Sequence, residues 1–288
     1  MPTTQPGAAL RLTRTGDELR RDLAAARQAG LTVGLVPTMG ALHEGHLSLV
    51  DACRRDCGLT VVTIFVNPAQ FGRGEDIASY PRPLDADLKL LAGRGADFVF
   101  VPETEAVYRA GHATYVEVGG PALSLEGEFR PGHFRGVATI VLKLFHLVEP
   151  HRAYFGRKDY QQSLVVRRMV ADLDLPIEIV VCPTVREPDG LAMSSRNAYL
   201  SDQERRRALA LSQSLKRAGQ LVAAGTRDAR VIVAEMSALV RAAELTIDYV
   251  AICNPDTLAP IERVDGPAVA LVAARIGRAR LIDNELLG

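Results

Sequence analysis

Neither sign of charge is in excess: 34 Lys and Arg stand against 34 Asp and Glu in 288 residues. Gripping nucleic acid over a broad face needs surplus positive charge, so no nucleic-acid partner is expected and any bound polyanion must sit in a local pocket. Cysteine is scarce. Cys53, Cys57, Cys182 and Cys253 are too few for a disulfide framework and show no zinc-type spacing, which fits a reduced compartment. Cys53 and Cys57, four apart, read as small buried residues of one helix face. Long apolar runs are missing as well. The longest, Val137–Val148, is broken by Lys143 and His146, and Met1–Leu10 has no basic start followed by an apolar stretch. Neither a membrane span nor a signal peptide is expected. The usual phosphate loops, GxGxxG and GxxxxGK[ST], are absent, as are a GxSxG nucleophile elbow and an HExxH zinc helix.

What remains is ordinary globular composition, 48% hydrophobic and 24% charged, in a length that suits one large domain or a large and a small one. Apolar, β-rich runs recur at 31–36, 60–66, 96–101, 152–155 and 177–182. They are continuous rather than alternating, and helical patterns separate them. Such strands are covered on both faces and joined by right-handed crossovers. The sequence predicts an α/β fold, a doubly wound parallel sheet of Rossmann type over residues 1–184. Thr15 and Glu18 have capping-box spacing ahead of the first helix, and helices are expected near 45–55, 84–92, 137–147 and 159–173. After Cys182 a polar, turn-rich linker leads to a capping box at Ser201 and Glu204. One helix to Gly225, a second over 228–243 and three strands should then form a smaller α+β domain, 185–288.

Ligands of open parallel sheets bind beyond the carboxyl ends of the strands, so those ends carry the candidate chemistry. The first is followed by Met39, Gly40, Ala41, Leu42, His43, Glu44, Gly45 and His46. Its glycines let backbone approach a ligand, a helix start offers free N–H donors, and two imidazoles three apart can face one anion. The plainer reading is that the histidines cap the helix. A second strand end runs into Gly156, Arg157, Lys158, Asp159 and, one turn on, Gln162. Only four of the 34 basic residues are lysines, so a lysine here suggests a compact point charge. The linker supplies Met193, Ser194, Ser195 and Arg196, placed to close over a triphosphate. Gln70 offers a donor and an acceptor to a polar ligand. Asp85 and Asp87, two apart, do not share a helix face and are not automatically a metal pair; Asp76 reads as a surface acid without a role.

In order and at matching spacing, PTMGALHEGH (37–46), FVNPAQFG (65–72), YPRPLDADL (80–88), FRPGHFRGV (129–137), FGRKDYQQ (155–162) and GLAMSSRN (190–197) resemble the pantothenate synthetase family. The HxGH element is shared with the wider superfamily of adenylyl-transferring α/β proteins, and MSSR is similar to the KMSKS loop of class I aminoacyl-tRNA synthetases, with Ser195 at its second lysine. The resemblance implies that pantoate and ATP give pantoyl adenylate and pyrophosphate, and that β-alanine then displaces AMP to give pantothenate. It implies Mg²⁺, a cytoplasmic location and a homodimer. It places residues 39–46, 156–159, Val185 and 193–196 around ATP, with His46 as proton donor, and Gln70 and Gln162 on pantoate. Arg130 and His133 match positions lining the site, Arg130 as a substrate ligand, and Asp87 falls to the magnesium shell. Pro83 stands where the family has Thr, and Ala86 interrupts its acidic cluster.

The residues agree with that chemistry independently. A carboxylate attacking the α-phosphorus needs no enzyme nucleophile or base; it needs alignment and positive charge. His43, His46, Lys158, Ser194, Ser195 and Arg196 offer this, and no Ser/His/Asp or Cys/His set competes. Two alternatives rest on HxGH alone: a nucleotidylyltransferase acting on a phosphate-ester acceptor, and a noncatalytic nucleotide-sensing module.

Overall fold

The computed structural model describes residues 10–72 and 74–288; the reading of Met1–Leu10 falls, apart from Leu10, outside them. The N-terminal part runs β1 (Arg11–Thr13), α1 (Gly16–Gln28), β2 (Val33–Thr38), α2 (Glu44–Asp56), β3 (Leu59–Ile64), α3 (Leu84–Arg94), β4 (Phe98–Phe100), the single-turn helices α4 (Thr104–Val107) and α5 (Glu126–Phe129), α6 (His133–Val148), β5 (Arg152–Gly156), α7 (Tyr160–Asp172) and β6 (Glu178–Cys182). Its six strands are all parallel, in the order β1-β4-β3-β2-β5-β6. This is the doubly wound α/β sheet the apolar runs predict. The edge strand β1 escaped that reading because three residues are too few to show a period.

The strand order reverses between β2 and β5. From β2 the chain adds β3 and β4 on one side, then crosses to lay β5 and β6 on the other. At such a switch point the loops leaving two neighbouring strands diverge to opposite faces and leave a crevice. The His43–His46 loop follows β2 and the Lys158 turn follows β5, so two distant sequence fragments become neighbours.

One apolar cluster fills the side of the sheet covered by α1, α6 and α7, around Leu23, Leu35, Val61, Phe100, Ile140 and Val166. The other side holds Val36, Leu47, Val50, Val62, Leu91 and Tyr154. Cys53 and Cys57 are buried and free. They pack on β2 at Gly34, where an added Cβ would lie 2.2 Å from the Cys53 Sγ. The expected capping box at Thr15 and Glu18 forms.

The C-terminal part has its own core, with Leu211, Leu215, Ile232, Met236, Val272 and Ala274 among its residues. Helices α8 (Asp202–Ala208), α9 (Ala210–Ala223) and α10 (Ala229–Ala242) lie against an antiparallel sheet of β7 (Thr246–Cys253), β8 (Ala268–Ile276) and β9 (Ala279–Leu287). The single helix expected from Ser201 to Gly225 is interrupted at Leu209. The last of the three expected strands, read from the sequence as 279–283, extends to Leu287 as β9, because β8 pairs with it that far.

Among the described residues, two side chains of β9, Arg280 and Asn284, make buried polar links to the N-terminal part. The Glu126 carboxylate receives both Arg280 terminal nitrogens at 2.7 Å and the Tyr249 hydroxyl at 2.9 Å, while Arg280 also reaches Asp248 at 2.6 Å. A buried charge of this kind tolerates one geometry, so the pair fixes register more than it adds stability. The second link, through Asn284, reaches the functional site. Among the described residues no helix is long and apolar enough to cross a membrane.

Candidate active site

A cavity of about 220 Å³ opens at the switch point, and its wall gathers Met39, His43, Gly45, His46, Gln70, Gly156, Lys158, Asp159, Gln162, Val185, Met193, Ser194, Ser195 and Arg196. Fragments from both halves of the sequence thus face one space. Arg130 and His133 line it as well.

The two histidines cap the helix and also line the cavity. His43 is the N-cap of α2, its Nδ1 accepting from the Gly45 N–H at 3.1 Å, and His46 Nδ1 accepts from the His43 N–H at 3.4 Å. The rings lie 4.1 Å apart. With each Nδ1 occupied as an acceptor, the neutral ring carries its hydrogen on Nε2, leaving that N–H as the donor for a ligand. Burial, reinforced by Lys158, lowers the His43 pKa to about 4; burial and the neighbouring His43 ring lower that of His46 to about 3. The free protein therefore presents two neutral donors, not the two positive charges that the motif suggested.

Gly40, Ala41 and Leu42 are not in the cavity wall. Gly40 and Ala41 both have positive φ, +82° and 51°, a turn whose N–H groups converge on an anion. That anion is Asp87. It is 1% exposed, and its carboxylate accepts from the Ala41 N–H at 2.9 Å and the Leu42 N–H at 2.8 Å. The Asp87 carboxylate, expected in the magnesium shell, and the 40–42 backbone, expected around ATP, thus bond to each other in this structure. Burial raises the Asp87 pKa, against the two hydrogen bonds that favour its anion. Asp87→Asn keeps one acceptor and turns an amide N–H toward a backbone donor. It should cost about 1–3 kcal/mol, seen in denaturant melts, while the magnesium concentration giving half-maximal activity stays unchanged. A rise in that concentration at unaltered stability would restore the metal role.

Two other residues expected around ATP lie outside the cavity wall. Glu44 turns outward to pair with Arg94, and Arg157 is outside the cavity wall, its carbonyl engaged by Asn284 at 3.0 Å. Arg130 lines the cavity, but its guanidinium is already matched: Nε and Nη2 meet the Glu75 carboxylate at 2.8 and 2.6 Å. The charge expected to meet substrate is thus neutralised within the protein. Burial alone would raise the Glu75 pKa; Arg130 outweighs it and the net direction is down. Arg130 Nη2, at 3.4 Å, and the His133 ring, with Nδ1 at 2.9 Å, both hold the Gln70 carbonyl. Behind them, Gly136 lets α6 touch the Gln70 loop, since a Cβ there would stand 2.2 Å from the Ala69 oxygen. The Gln70 amide is pre-set by Asn67, whose Nδ2 donates to its Oε1 at 3.0 Å.

The 193–196 segment is tied down. Arg196 forms a two-point pair with Asp76 at 3.0 and 2.9 Å, so the acid read as unassigned is the latch of this loop. Ser195 Oγ lies 3.3 Å from the Tyr80 hydroxyl, and Ser194 caps the turn by accepting from the Arg196 N–H at 3.2 Å. The Met193 N–H donates to the Val185 carbonyl at 3.0 Å. Opposite, the Lys158 ammonium is 3.6 Å from Asp159. Burial raises the Asp159 pKa, but Lys158, Arg196 and His46 overcome it and hold the carboxyl below its usual range. Sequence reasoning passed over Tyr80, Asn67 and Thr184. The last lines the cavity with a buried hydroxyl that has no partner among the described residues, a signal invisible without coordinates.

The model of the family described as pantoate-beta-alanine ligase matches residues 11–286. The chain belongs to the pantoate-beta-alanine ligase family. It is 53% identical over 279 residues to the pantothenate synthetase of Moorella thermoacetica, covering 96% of this chain and 99% of that one, and 51% identical over 280 residues to that of Thermotoga petrophila, covering 97% and 100%. The solved pantothenate synthetase of Thermus thermophilus superposes with a TM-score of 0.90 at 48% identity, covering 96% of this chain and 98% of that one. A pantoate-beta-alanine ligase from Francisella tularensis, solved with beta-gamma ATP and beta-alanine, gives a TM-score of 0.80 at 32% identity with the same coverage. These likenesses carry the ligase fold over nearly the whole chain.

Among the described residues no group of three or more His, Cys, Asp or Glu side chains is placed to hold a metal, and Asp87, expected in the magnesium shell, accepts from two backbone N–H groups.

Three imidazoles with lowered pKa contribute to the acid behaviour of the fold. His133, like His43, has its pKa lowered to about 4, by burial first and Arg130 second. The unfolded chain protonates these rings near pH 6.5 and the folded chain does so lower, so the unfolded state binds more protons in between. Stability from these rings is complete above about pH 6.5 and is lost as the pH falls toward 4 and 3. The ring carbon-bound proton resonances of His43, His46 and His133 should stay fixed between about pH 7.5 and 5.5. A titration centred near the ordinary imidazole value would contradict this.

Proposed function

We propose that the protein is an ATP-dependent, AMP-forming ligase that joins pantoate to β-alanine through enzyme-bound pantoyl adenylate. The observation that carries this reading is the convergence of the two histidines, Lys158 and the 193–196 loop on one cavity, in a chain of this family. Magnesium bound with the nucleotide would supply charge neutralisation at the triphosphate. No step is assigned to a protein-held metal. The domain division lies between Thr184 and Val185, and a homodimer and a cytoplasmic location belong to the same proposal.

In the first step a pantoate carboxylate oxygen attacks the α-phosphorus, and the bond from that phosphorus to the bridging oxygen of the leaving pyrophosphate breaks. The substrate is already the nucleophile, so the protein contributes orientation and positive potential. Gln70 and Gln162 hold the pantoate hydroxyls, and the apolar wall of Phe65, Val137 and Ile140 suits its two methyl groups. His43 and His46 donate from Nε2 to phosphate oxygens; Lys158 adds the compact charge. Ser194 and Ser195 donate to the phosphates from the loop, while Asp159 accepts from the ribose hydroxyls. In the second step the neutral β-alanine amine attacks the acyl carbon, AMP leaves with the carboxyl oxygen bonded to phosphorus, and the amine loses a proton. Exclusion of water protects the mixed anhydride meanwhile.

The cavity, about 220 Å³, is smaller than the roughly 300–1,000 Å³ usual for ligand sites. The test is exchange of labelled pyrophosphate into ATP. Exchange should require pantoate and proceed without β-alanine, and the complete reaction should release AMP. Release of ADP, or exchange that needs a phosphorylated acceptor, would overturn the reading, the latter in favour of a nucleotidylyltransferase.

A further inference from the structure

The Lys158 turn is held by the other half of the molecule. After β5 the chain makes a short 3-10 turn, Arg157–Asp159, before α7 begins, and two of its carbonyls point to β9. There the Asn284 side chain gives one Nδ2 hydrogen to each: 3.0 Å to the Arg157 oxygen and 2.9 Å to the Lys158 oxygen. Asn284 is 3% exposed. Its own N–H donates to Asp283 Oδ1 at 2.8 Å, and Asp283 is gripped by Arg186 at 2.6 and 3.1 Å. Arg186 follows Val185 of the cavity wall and reaches the Gly190 carbonyl at 3.2 Å. Residues 283 and 284 therefore brace both the Lys158 turn and the segment that leads into the 193–196 loop.

The asparagine's chemistry fits donation specifically. Its Oδ1 is buried without a partner among the described residues, a cost that a residue chosen for general polarity would not carry. What the site uses is the planar NH₂ group, whose two hydrogens span neighbouring carbonyls. Leucine or alanine would leave both carbonyls without a donor; aspartate would set oxygens against oxygens.

We propose that Asn284 is a positioning residue of the first half-reaction: by holding the 157 and 158 carbonyls it sets where the Lys158 ammonium stands against the reacting phosphate. The proposal rests on the ligase reading above. A lysine on a loosened turn still attracts ATP, so its loss of alignment appears in the chemical step, where displacement by about 1 Å can cost on the order of 100-fold.

The test is a double-mutant cycle on the single-turnover rate of pantoyl adenylate formation, in the full-length wild type, Asn284→Ala, Lys158→Met and the double variant. Asn284→Ala should slow the step about 10- to 100-fold while the KM for ATP moves less than about threefold. In the Lys158→Met background the same change should cost less than about twofold. An equal loss in both backgrounds overturns the proposal and leaves Asn284 a purely structural residue. Should Asn284→Ala lack a cooperative melt, the cycle is run with Asn284→Ser, which keeps one donor and should show the same coupling at smaller size. If the wild type itself forms no adenylate, the ligase reading fails, an outcome distinct from additivity within an active set.

Discussion

Replacing Lys158 by Met is expected to lower the rate of adenylate formation by about 10²–10³, with pantoate affinity nearly unchanged. The stem is retained and the charge alone is lost. Lys158 stands in the cavity wall at the end of β5, while the guanidiniums that could have shared its task are committed: Arg130 to Glu75 and Arg196 to Asp76. Lys158 has a looser partner, 3.6 Å from Asp159, and its ammonium can turn toward a phosphate. Removing one preorganised charge-stabilising group from a water-poor site costs a few powers of ten in the chemical step. A Met variant within threefold of wild type in single-turnover assays would remove Lys158 from the reaction. Lys158→Arg should recover little, because a planar fork on a longer stem does not place charge at the same point.

His46→Ala should slow adenylation by about 10²–10⁴ and leave the pyrophosphate-exchange requirement for pantoate intact. The structure sharpens why. His46 accepts a backbone N–H at Nδ1, so truncation removes an oriented Nε2–H donor and part of the cap of α2 together. The two contributions separate with His46→Gln, whose amide can donate to the phosphate although its geometry differs, and with a melt that reads the cap, worth about 1 kcal/mol. Because burial keeps the free imidazole neutral down to a pKa of about 3, it can act as an acid only after the nucleotide's negative charge raises its proton affinity. A loss below threefold would make His46 a packing residue.

Much of this site was legible in the sequence because the doubly wound topology converts strand ends into neighbours. Once β2 and β5 are recognised as strands, the loops after them must meet at the switch point, and the HxGH and GRKD fragments come together without further information. The linker serines were placed by the same logic, with Ser195 and Arg196 now in the cavity wall. What the sequence does not show is which polar groups are already paired within the protein. Asp87, Arg130 and Asp76 all bear charge, and charge near a site suggests ligands; whether that charge is already answered depends on contacts 46, 55 and 120 residues away. Local spacing carries no trace of such partners. The turn at 40–42 shows the same limit: its glycine signals close approach, yet the approaching anion is the protein's own Asp87 carboxylate. Asn284 was invisible for a related reason, since it lies just past the expected strand and nothing marks it as more than a surface residue until the turn it serves is seen beside it.

The central claim is that one acyl adenylate touches the β2 loop, the β5 turn and the 193–196 loop at once. A crystal structure with a nonhydrolysable pantoyl adenylate analogue tests it most directly. His46 Nε2, Lys158 Nζ and the Ser195 hydroxyl should lie within hydrogen-bond distance of the group that replaces the phosphate, with Gln70 and Gln162 on the pantoyl hydroxyls. An analogue bound with its phosphate replacement away from Lys158 and His46, or held by Asp87 in place of the 41–42 backbone, would contradict it.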